Sequence, residues 1–372
     1  MSSVLAVSAT GLVKRFGERR VVDGVDIAVP QGLIYGVLGP NGAGKTTTLR
    51  MLLGIIEPDS GTRMVLGHAN PQHIARQIGY LPEERGLYPS MKAYEAIAFM
   101  GALRGLPLKE GRTRGRALLE SYGLPADRPI EAAREVGYLP EERGLYPAMP
   151  AAEAIAFMGA LRGLPIKTGR ARAREMLDAR GYGDWAKRPI RTLSKGMAQT
   201  VQLLGTMVHR PRLLVLDEPF SGLDALNQEK LEQLIRDQAA AGTTVIFSTH
   251  VIAHAERLCE RVAIIAEGKV AFEGRVDEAR DRLRPIVHLR TRADDGPWRA
   301  SLPAEAQRVG GEWRFELPAG GPEPLLKALI DGGAGIETLS IERPGLHDAF
   351  IAIAGAAAAR DMGQPAPQGE AE

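Results

Sequence analysis

Along residues 1 to about 280, short unbroken apolar runs alternate with longer stretches of helical character, the pattern of an α/β layered fold. Three runs read as fully buried strands: "LIYGVLG" at 33–39, "LLVLD" at 213–217 and "TTVIFST" at 243–249. Each is followed by turn residues and then by helix-compatible sequence, as strand–loop–helix units require. From about Arg282 the pattern changes to "PIVHLRT", "EWRFELP", a helix-like "PEPLLKALIDGG", then "IETLSIER" and "LHDAFIAIAG". The spacing predicts a small α+β module over 281–356, behind a main domain at 1–280. Residues 357–372 are polar and rich in Pro and Gly, and read as a disordered tail.

One feature interrupts the alternation. "GYLPEERGLYP" stands at 79–89 and again at 137–147, 58 positions on. The likeness extends further: 76–112 and 134–170 match at 30 of 37 positions without a gap, including an identical "EAIAFMGALRGLP". So close a match reads as a recent tandem duplication with units 76–133 and 134–191. A solenoid would have diverged and would need three or more units. "RQIGYLP" and "REVGYLP" read as the same core strand, for which a close-packed sheet has one place. The expectation is that the first copy fills it, the second copy's helical segment near 151–163 stays beside the region that follows it, and the surplus forms a surface lobe.

Composition narrows the classes. In 372 residues the net charge is +2, which argues neither for nor against a polyanionic partner. A single cysteine, Cys259, excludes an intramolecular disulfide and suits a reducing compartment. The N-terminus lacks a basic start followed by an apolar core, so no secretion signal is expected. The longest apolar run, "AFIAIAGAAAA" from Ala349, is about half of a bilayer span. The basic runs at 104–116 and 167–174 read as solvated helix faces rather than a nucleic-acid surface.

The chemistry starts at "GPNGAGKTT", which comprises Gly39, Pro40, Asn41, Gly42, Ala43, Gly44, Lys45, Thr46 and Thr47. It fits G-x-x-x-x-G-K-[ST] directly after a strand and before a helix. The glycines let backbone N–H groups turn inward around a phosphate chain, and the positive helix end points the same way. Lys45 would reach the β- and γ-phosphates, and the Thr46 hydroxyl would bind Mg²⁺. "LLVLDEP" places Asp217 at the carboxyl end of a strand, where open α/β sheets bind ligands; it would hold Mg²⁺ through water. Glu218 beside it would polarise the attacking water as general base. His250 ends another apolar strand, placed to sense a γ-phosphate. His250 and His254 have helical metal-ligand spacing, but no third ligand is evident, so no site is assigned to them.

The order of phosphate loop, "LSKGM", "LLVLDEP", "SGLD" and "STH" resembles the nucleotide-binding subunit of an ATP-binding cassette (ABC) transporter, over roughly residues 4–275. The resemblance implies ATP and Mg²⁺ as ligands, and a homodimer with ATP between head-to-tail subunits. It also implies a separate polytopic membrane permease, and hence a cytoplasmic protein peripheral on the inner face of the plasma membrane. By the same resemblance Ser194 and Gly196 would contact a γ-phosphate held by the partner copy. Lys195 and Met197 depart from the family's L-S-G-G-Q. Asp224 would cross the dimer seam, and Phe16 would stack on adenine where the family more often has Tyr. Glu83, or Glu141 in the second copy, stands where the family has a metal-binding glutamine. The spacings from Lys45 to Glu83 and from Glu141 to Ser194 both look like the family's, so each copy fits its own neighbours; the first copy's close tether to the phosphate-loop region and earlier synthesis favour Glu83 at the metal. "YLPEERGLYP" and the module after Arg282 resemble the branch that serves drug, sodium and polymer exporters.

The resemblance therefore implies ATP hydrolysis coupled to export. The alternative is a soluble ABC ATPase acting on ribosomes or nucleic acid; such proteins usually carry two cassettes, whereas this chain has one phosphate loop and one "LSKGM". A DNA-repair ATPase would need a long coiled coil, and no sustained heptad is present. No direct nucleic-acid contact is expected.

Overall fold

The computed structural model describes residues 4–81, 94–95, 97–98, 106–121, 149–293 and 295–361. The chain divides into two compact units, Met1–Glu273 and Gly274–Glu372. The first contains, in order, β1 (Leu5–Phe16), β2 (Arg19–Pro30), β3 (Ile34–Leu38), α1 (Lys45–Leu52), β4 (Ser60–Val65) and β5 (Ile78–Leu81). Helices α2 (Leu108–Ser121), α3 (Ala151–Leu161), α4 (Ile166–Asp178) and α5 (Lys195–Met207) follow. Then come β6 (Leu213–Leu216), α6 (Ala225–Ala240), β7 (Thr244–Thr249), α7 (Ile252–Leu258), β8 (Arg261–Ala266) and β9 (Lys269–Arg275), whose last two residues fall past the division.

A six-stranded sheet runs β5-β6-β7-β3-β8-β9, and the four pairings from β5 to β8 are parallel. Its strands β3, β6 and β7 are buried at every position. That is why they read as continuous apolar runs: parallel strands covered on both faces have no polar side to present. Because they all point one way, their carboxyl ends bring the loops after Leu38, Leu216 and Thr249 to one edge. A second sheet, β2-β1-β4, is antiparallel; its strand pair β1–β2 changes register between Ala9 and Leu12. The sequence pattern did not reveal it.

The repeated segments are divided between two places. β5 belongs to the first copy and pairs with β6, Ile78 opposite Leu213 and Leu81 opposite Leu216. The helix packed on α5 belongs to the second: α3 lies against α4 and α5. The approach is close, since a Cβ at Gly159 would stand 2.8 Å from a Val208 methyl carbon, and Met158 packs against Gly205. The first copy's helical segment makes its own small cluster of Tyr94, Ile97 and Leu119. Its internal packing repeats that of the second copy. A Cβ at Gly111 would lie 3.1 Å from the Ala98 Cα, and one at Gly169 would lie 3.2 Å from the Ala156 Cα.

The second unit comprises α8 (Val276–Arg280), β10 (Ile286–Thr291), β11 (Gln307–Val309), β12 (Glu312–Glu316), α9 (Pro322–Asp331), β13 (Ile336–Glu342) and α10 (Leu346–Asp361). Its antiparallel sheet, β11-β12-β10-β13, packs Val287, Leu289, Trp313 and Phe315 against Trp298, Leu325 and Leu329. The unit begins at Gly274, not near 281, because α8 packs on α10. α10 runs to Asp361, past the expected tail start at 357, carried by the good helix formers Ala356–Ala359.

Removing residues 79–136, so that Ile78 joins Gly137, leaves one strand and one helical segment, both of nearly unchanged sequence. We expect cooperative thermal unfolding with an equal or higher midpoint. Loop-closure entropy changes by only about 0.6 kcal/mol per doubling of length, so losing the long excursion costs nothing. Loss of a cooperative transition would show that both copies are built into the core.

Candidate functional site

The loop after β3 and the first turn of α1 line a recess of about 230 Å³ with Val21, Asn41, Gly42, Ala43, Gly44, Lys45, Thr46, Thr47 and Glu218. Gly44 caps α1 at φ 99°, where a Cβ would meet the Val21 carbonyl oxygen at 2.6 Å. Both the backbone angle and the space therefore require glycine. Lys45 turns back over the loop: its Nζ donates to the carbonyls of Gly39 at 2.9 Å and Pro40 at 3.1 Å. It also faces Glu218 Oε1 at 3.5 Å.

Across the recess stand two adjacent carboxylates at the end of β6, Asp217 and Glu218, 1% and 5% exposed. The Thr46 hydroxyl donates to Asp217 Oδ1 at 3.0 Å. The Asp217 N–H donates to the Leu81 carbonyl at 2.8 Å, extending the β5–β6 ladder one residue and fixing the carboxylate's start point. Glu218 has φ 45°, a left-handed conformation that costs a non-glycine residue stability and persists where surroundings impose it. One of the imposing groups is Ser248. Its hydroxyl accepts from the Glu218 N–H at 2.9 Å and donates to Asp217 Oδ1 at 2.6 Å. The sequence reading missed Ser248; its signal was a lone hydroxyl inside the apolar run of β7.

His250 lies just beyond β7, with Nδ1 3.0 Å from Glu218 Oε2. His254 goes elsewhere. It is 3% exposed, its ring stacks on Phe220 at 3.9 Å, and its Nδ1 lies 3.0 Å from Glu232 Oε1, which Arg257 also holds. It pins α7 to α6. Among the described residues no group of three His, Cys, Asp or Glu side chains is arranged to hold a metal.

The donor set beside the loop nevertheless fits Mg²⁺, which keeps several waters and takes few protein ligands. Thr46 and Asp217 offer hard oxygens in contact with each other, and Asp217 Oδ2 and Glu218 Oε1 are buried without a protein hydrogen-bond partner. Buried carboxylate oxygens in that condition are costly unless a cation or water completes them. Burial pushes the Asp217 carboxyl above the usual range, against the hydrogen bonds from Ser248 and Thr46 that pull it down.

A second group of expected residues assembles away from the recess. Ser194 caps α5, its hydroxyl accepting from the Met197 N–H at 3.3 Å. Asp224 caps α6 through the Asn227 N–H at 2.9 Å and accepts from the Asn227 side chain at 2.8 Å. Asn227 meanwhile abuts Gly196, where a Cβ would stand 2.9 Å from its amide nitrogen. The "LSKGM" and "SGLD" segments thus form one surface through Asn227, which the sequence reading did not name. Phe16 is 51% exposed, with the Lys14 ammonium 5.9 Å from its ring centre. Glu83 and Glu141 lie outside the described residues.

The family model for ABC transporters matches residues 22–221, more than half of the chain. The chain belongs to the ABC transporter family. It is an ABC ATPase, the subunit that hydrolyses ATP to drive transport. The daunorubicin/doxorubicin resistance ATP-binding protein DrrA of Streptomyces peucetius is 33% identical over 82% of this chain and 74% of its own. The Nod factor export ATP-binding protein I of Ralstonia nicotianae is 30% identical over 95% of each chain. Among solved structures, an ATP-binding subunit of an ABC transporter superposes with a TM-score of 0.53 over 75% of this chain and 93% of that one. At 23% identity it shows the shared fold. No helix among the described residues of this ABC ATPase is long and apolar enough to cross a membrane.

The raised Asp217 pKa has a measurable consequence without nucleotide. A carboxyl whose folded pKa is raised stabilises the fold below its unfolded pKa and loses that contribution as pH rises through the folded value. At neutral pH the charged Asp217 is therefore a burden on the empty protein. Asp217→Asn should give an equal or higher melting temperature at pH 7, with the difference shrinking as pH falls into the acid range. A lower melting temperature at pH 7 would mean that the hydrogen bonds from Thr46 and Ser248 outweigh the burial of charge.

Proposed function

We propose that this ABC ATPase energises export through a separate membrane permease, with two copies of the chain closing on ATP at their interface. The observation that carries the reading is the convergence of Lys45, Thr46, Asp217, Glu218 and His250 at the carboxyl edge of one parallel sheet. Export is supported by the names of the relatives, drug resistance in one case and Nod factor export in another, each aligned over most of the chain. The protein would then work on the inner face of the plasma membrane. We read the repeated segments as a tandem duplication.

In this reading the backbone N–H groups of residues 41–46 cradle the phosphate chain at the positive end of α1. Lys45 exchanges its two carbonyl partners for β- and γ-phosphate oxygens, and its release from Glu218 frees that carboxylate for water. Thr46 and Asp217 would hold Mg²⁺, which would supply neutralising charge to the phosphates. Glu218 takes the proton from the attacking water at a carboxylate oxygen, a contribution worth about 10²–10⁴-fold. His250, hydrogen-bonded to the other oxygen, holds that carboxylate in place. Ser194, Gly196 and Asp224 are absent from the lining of the recess. They serve the site of the partner copy, where a serine hydroxyl and helix N-terminus meet the γ-phosphate. Phe16 would pack on the adenine; Glu83, outside the described residues, is proposed for the metal on its position in the sequence alone.

Glu218→Gln should retain ATP binding and lower hydrolysis by about 10²-fold or more, trapping an ATP-bound dimer visible by size-exclusion chromatography. Hydrolysis at the parental rate would remove Glu218 from the mechanism. Ser194→Arg should abolish turnover without preventing the single chain from binding ATP. Activity that persists in that variant and is independent of protein concentration would overturn the shared site.

A further inference from the structure

The repeat leaves two nearly identical helical segments and a single α5 for them to pack against. The first spans α2 and the residues before it, and the second spans α3 and α4. On the α5 side of the second segment, Met158 and Gly159 pack on Gly205 and Val208. Arg162 donates to the Ala75 carbonyl at 3.2 Å, Gly163 abuts Arg76, and Arg172 donates to the Val208 carbonyl at 3.1 Å. At each of these five positions the first copy carries the same residue: Met100, Gly101, Arg104, Gly105 and Arg114. The intra-segment ion pair is also kept, Arg170 with Glu153 and Arg112 with Glu95.

The opposite side differs. There the second copy is held by a strap, residues 182–192. The Ala151 N–H donates to the Arg188 carbonyl at 3.0 Å and the Ala152 N–H to the Ala186 carbonyl at 3.1 Å, while Pro150 bridges Pro189. Ala152 is buried under this strap. The first copy has Lys92 and Tyr94 at the positions of Pro150 and Ala152. Its Tyr94 is instead packed within its own segment, under the Arg116 guanidinium at 3.8 Å and beside Leu119. A tyrosine under the strap would have to lift it.

Chain length does not choose between the two. With the second segment seated, 67 residues, 82–148, separate it in sequence from β5. With the first seated, 60 residues, 122–181, would separate it in sequence from the strap. Loop-closure entropy varies with the logarithm of length, so these costs cancel.

We infer that the two segments compete for the one seat on α5, and that the contact of Ala152 with the strap, which Tyr94 cannot make, sets the balance toward the second. The protein is then an exchanging pair of seatings that differ in which lobe stands on the surface, and the minor seating needs only local opening to form.

Paired cysteines read the seating directly, since the natural Cys259 is buried. In Gly159→Cys/Val208→Cys, oxidation should link most of the protein as monomer. In Gly101→Cys/Val208→Cys a minor monomeric fraction should link, and adding Tyr94→Ala should raise that fraction several-fold. No intramolecular link from position 101, with or without Tyr94→Ala, overturns the exchange. Stability gives a second reading that does not depend on cysteine chemistry. Gly159→Glu alone should leave a cooperative transition only a few degrees lower, because the first segment takes the seat. Gly101→Glu with Gly159→Glu should lower the midpoint by ten degrees or more, or abolish the transition. A single Gly159→Glu as damaging as the pair would show that the first segment cannot substitute, and the inference falls.

Discussion

Two carboxylates buried next to each other at the end of one strand are the constraint around which the site is built. Charges in that position are held in a folded state only by compensation, and the surrounding structure supplies it piecemeal. Ser248 and Thr46 each donate a hydroxyl to one oxygen of Asp217, and Lys45 and His250 face the two oxygens of Glu218. The compensation is incomplete, since Asp217 Oδ2 and Glu218 Oε1 are left without a protein hydrogen bond. The parallel sheet explains why the groups meet at all. β3, β6 and β7 start at different points in the sequence but end together, so a lysine, two acids and a histidine spread over some 200 residues become neighbours. A site of this kind trades stability of the empty protein for affinity toward a polyanion carrying a cation.

Much of this was legible in the sequence because the physics that builds it is local. Unbroken apolar runs mark β3, β6 and β7, since only strands covered on both faces can lack a polar side. The glycines of the phosphate loop announce themselves because a left-handed, crowded backbone admits little else. Other parts left no such trace. β1 and β2 carry glycines and register shifts that break the two-residue alternation, so the antiparallel sheet did not stand out. Ser248 is one hydroxyl in an apolar run, and its double role depends on a turn 30 residues earlier in the chain. The start of the second unit was missed because α8 is five residues long, too short to show a period.

The division of the repeat between β5 and α3 shows how place is decided when sequence alone is ambiguous. Ile78 to Leu81 and the corresponding residues of the second copy offer the sheet nearly the same strand. The first copy holds the place beside β6, and tethering explains the preference, because it follows closely on β4 through the 3-10 segment Pro71–Gln77. The helical segments are equally alike at the positions through which the second copy touches α5. There the strap that immediately precedes Ser194 favours the copy next to it in sequence. Proximity along the chain thus acts on both ends of the repeat and pulls a different copy into each place.

The packing of α8 on α10 bears on how the C-terminal unit can be handled as a separate object. Val276 and Ala279 of the first helix, and Leu346, Ala349 and Ile353 of the last, are all buried, and Arg343 forms ion pairs with Asp277 and Asp281. The unit is clasped by its own two ends. A fragment begun at residue 281 would discard one half of the clasp and bare an apolar helix face to solvent, inviting self-association. A fragment begun at Gly274 would keep both halves, and is the portable form of this module for fusion to another cassette.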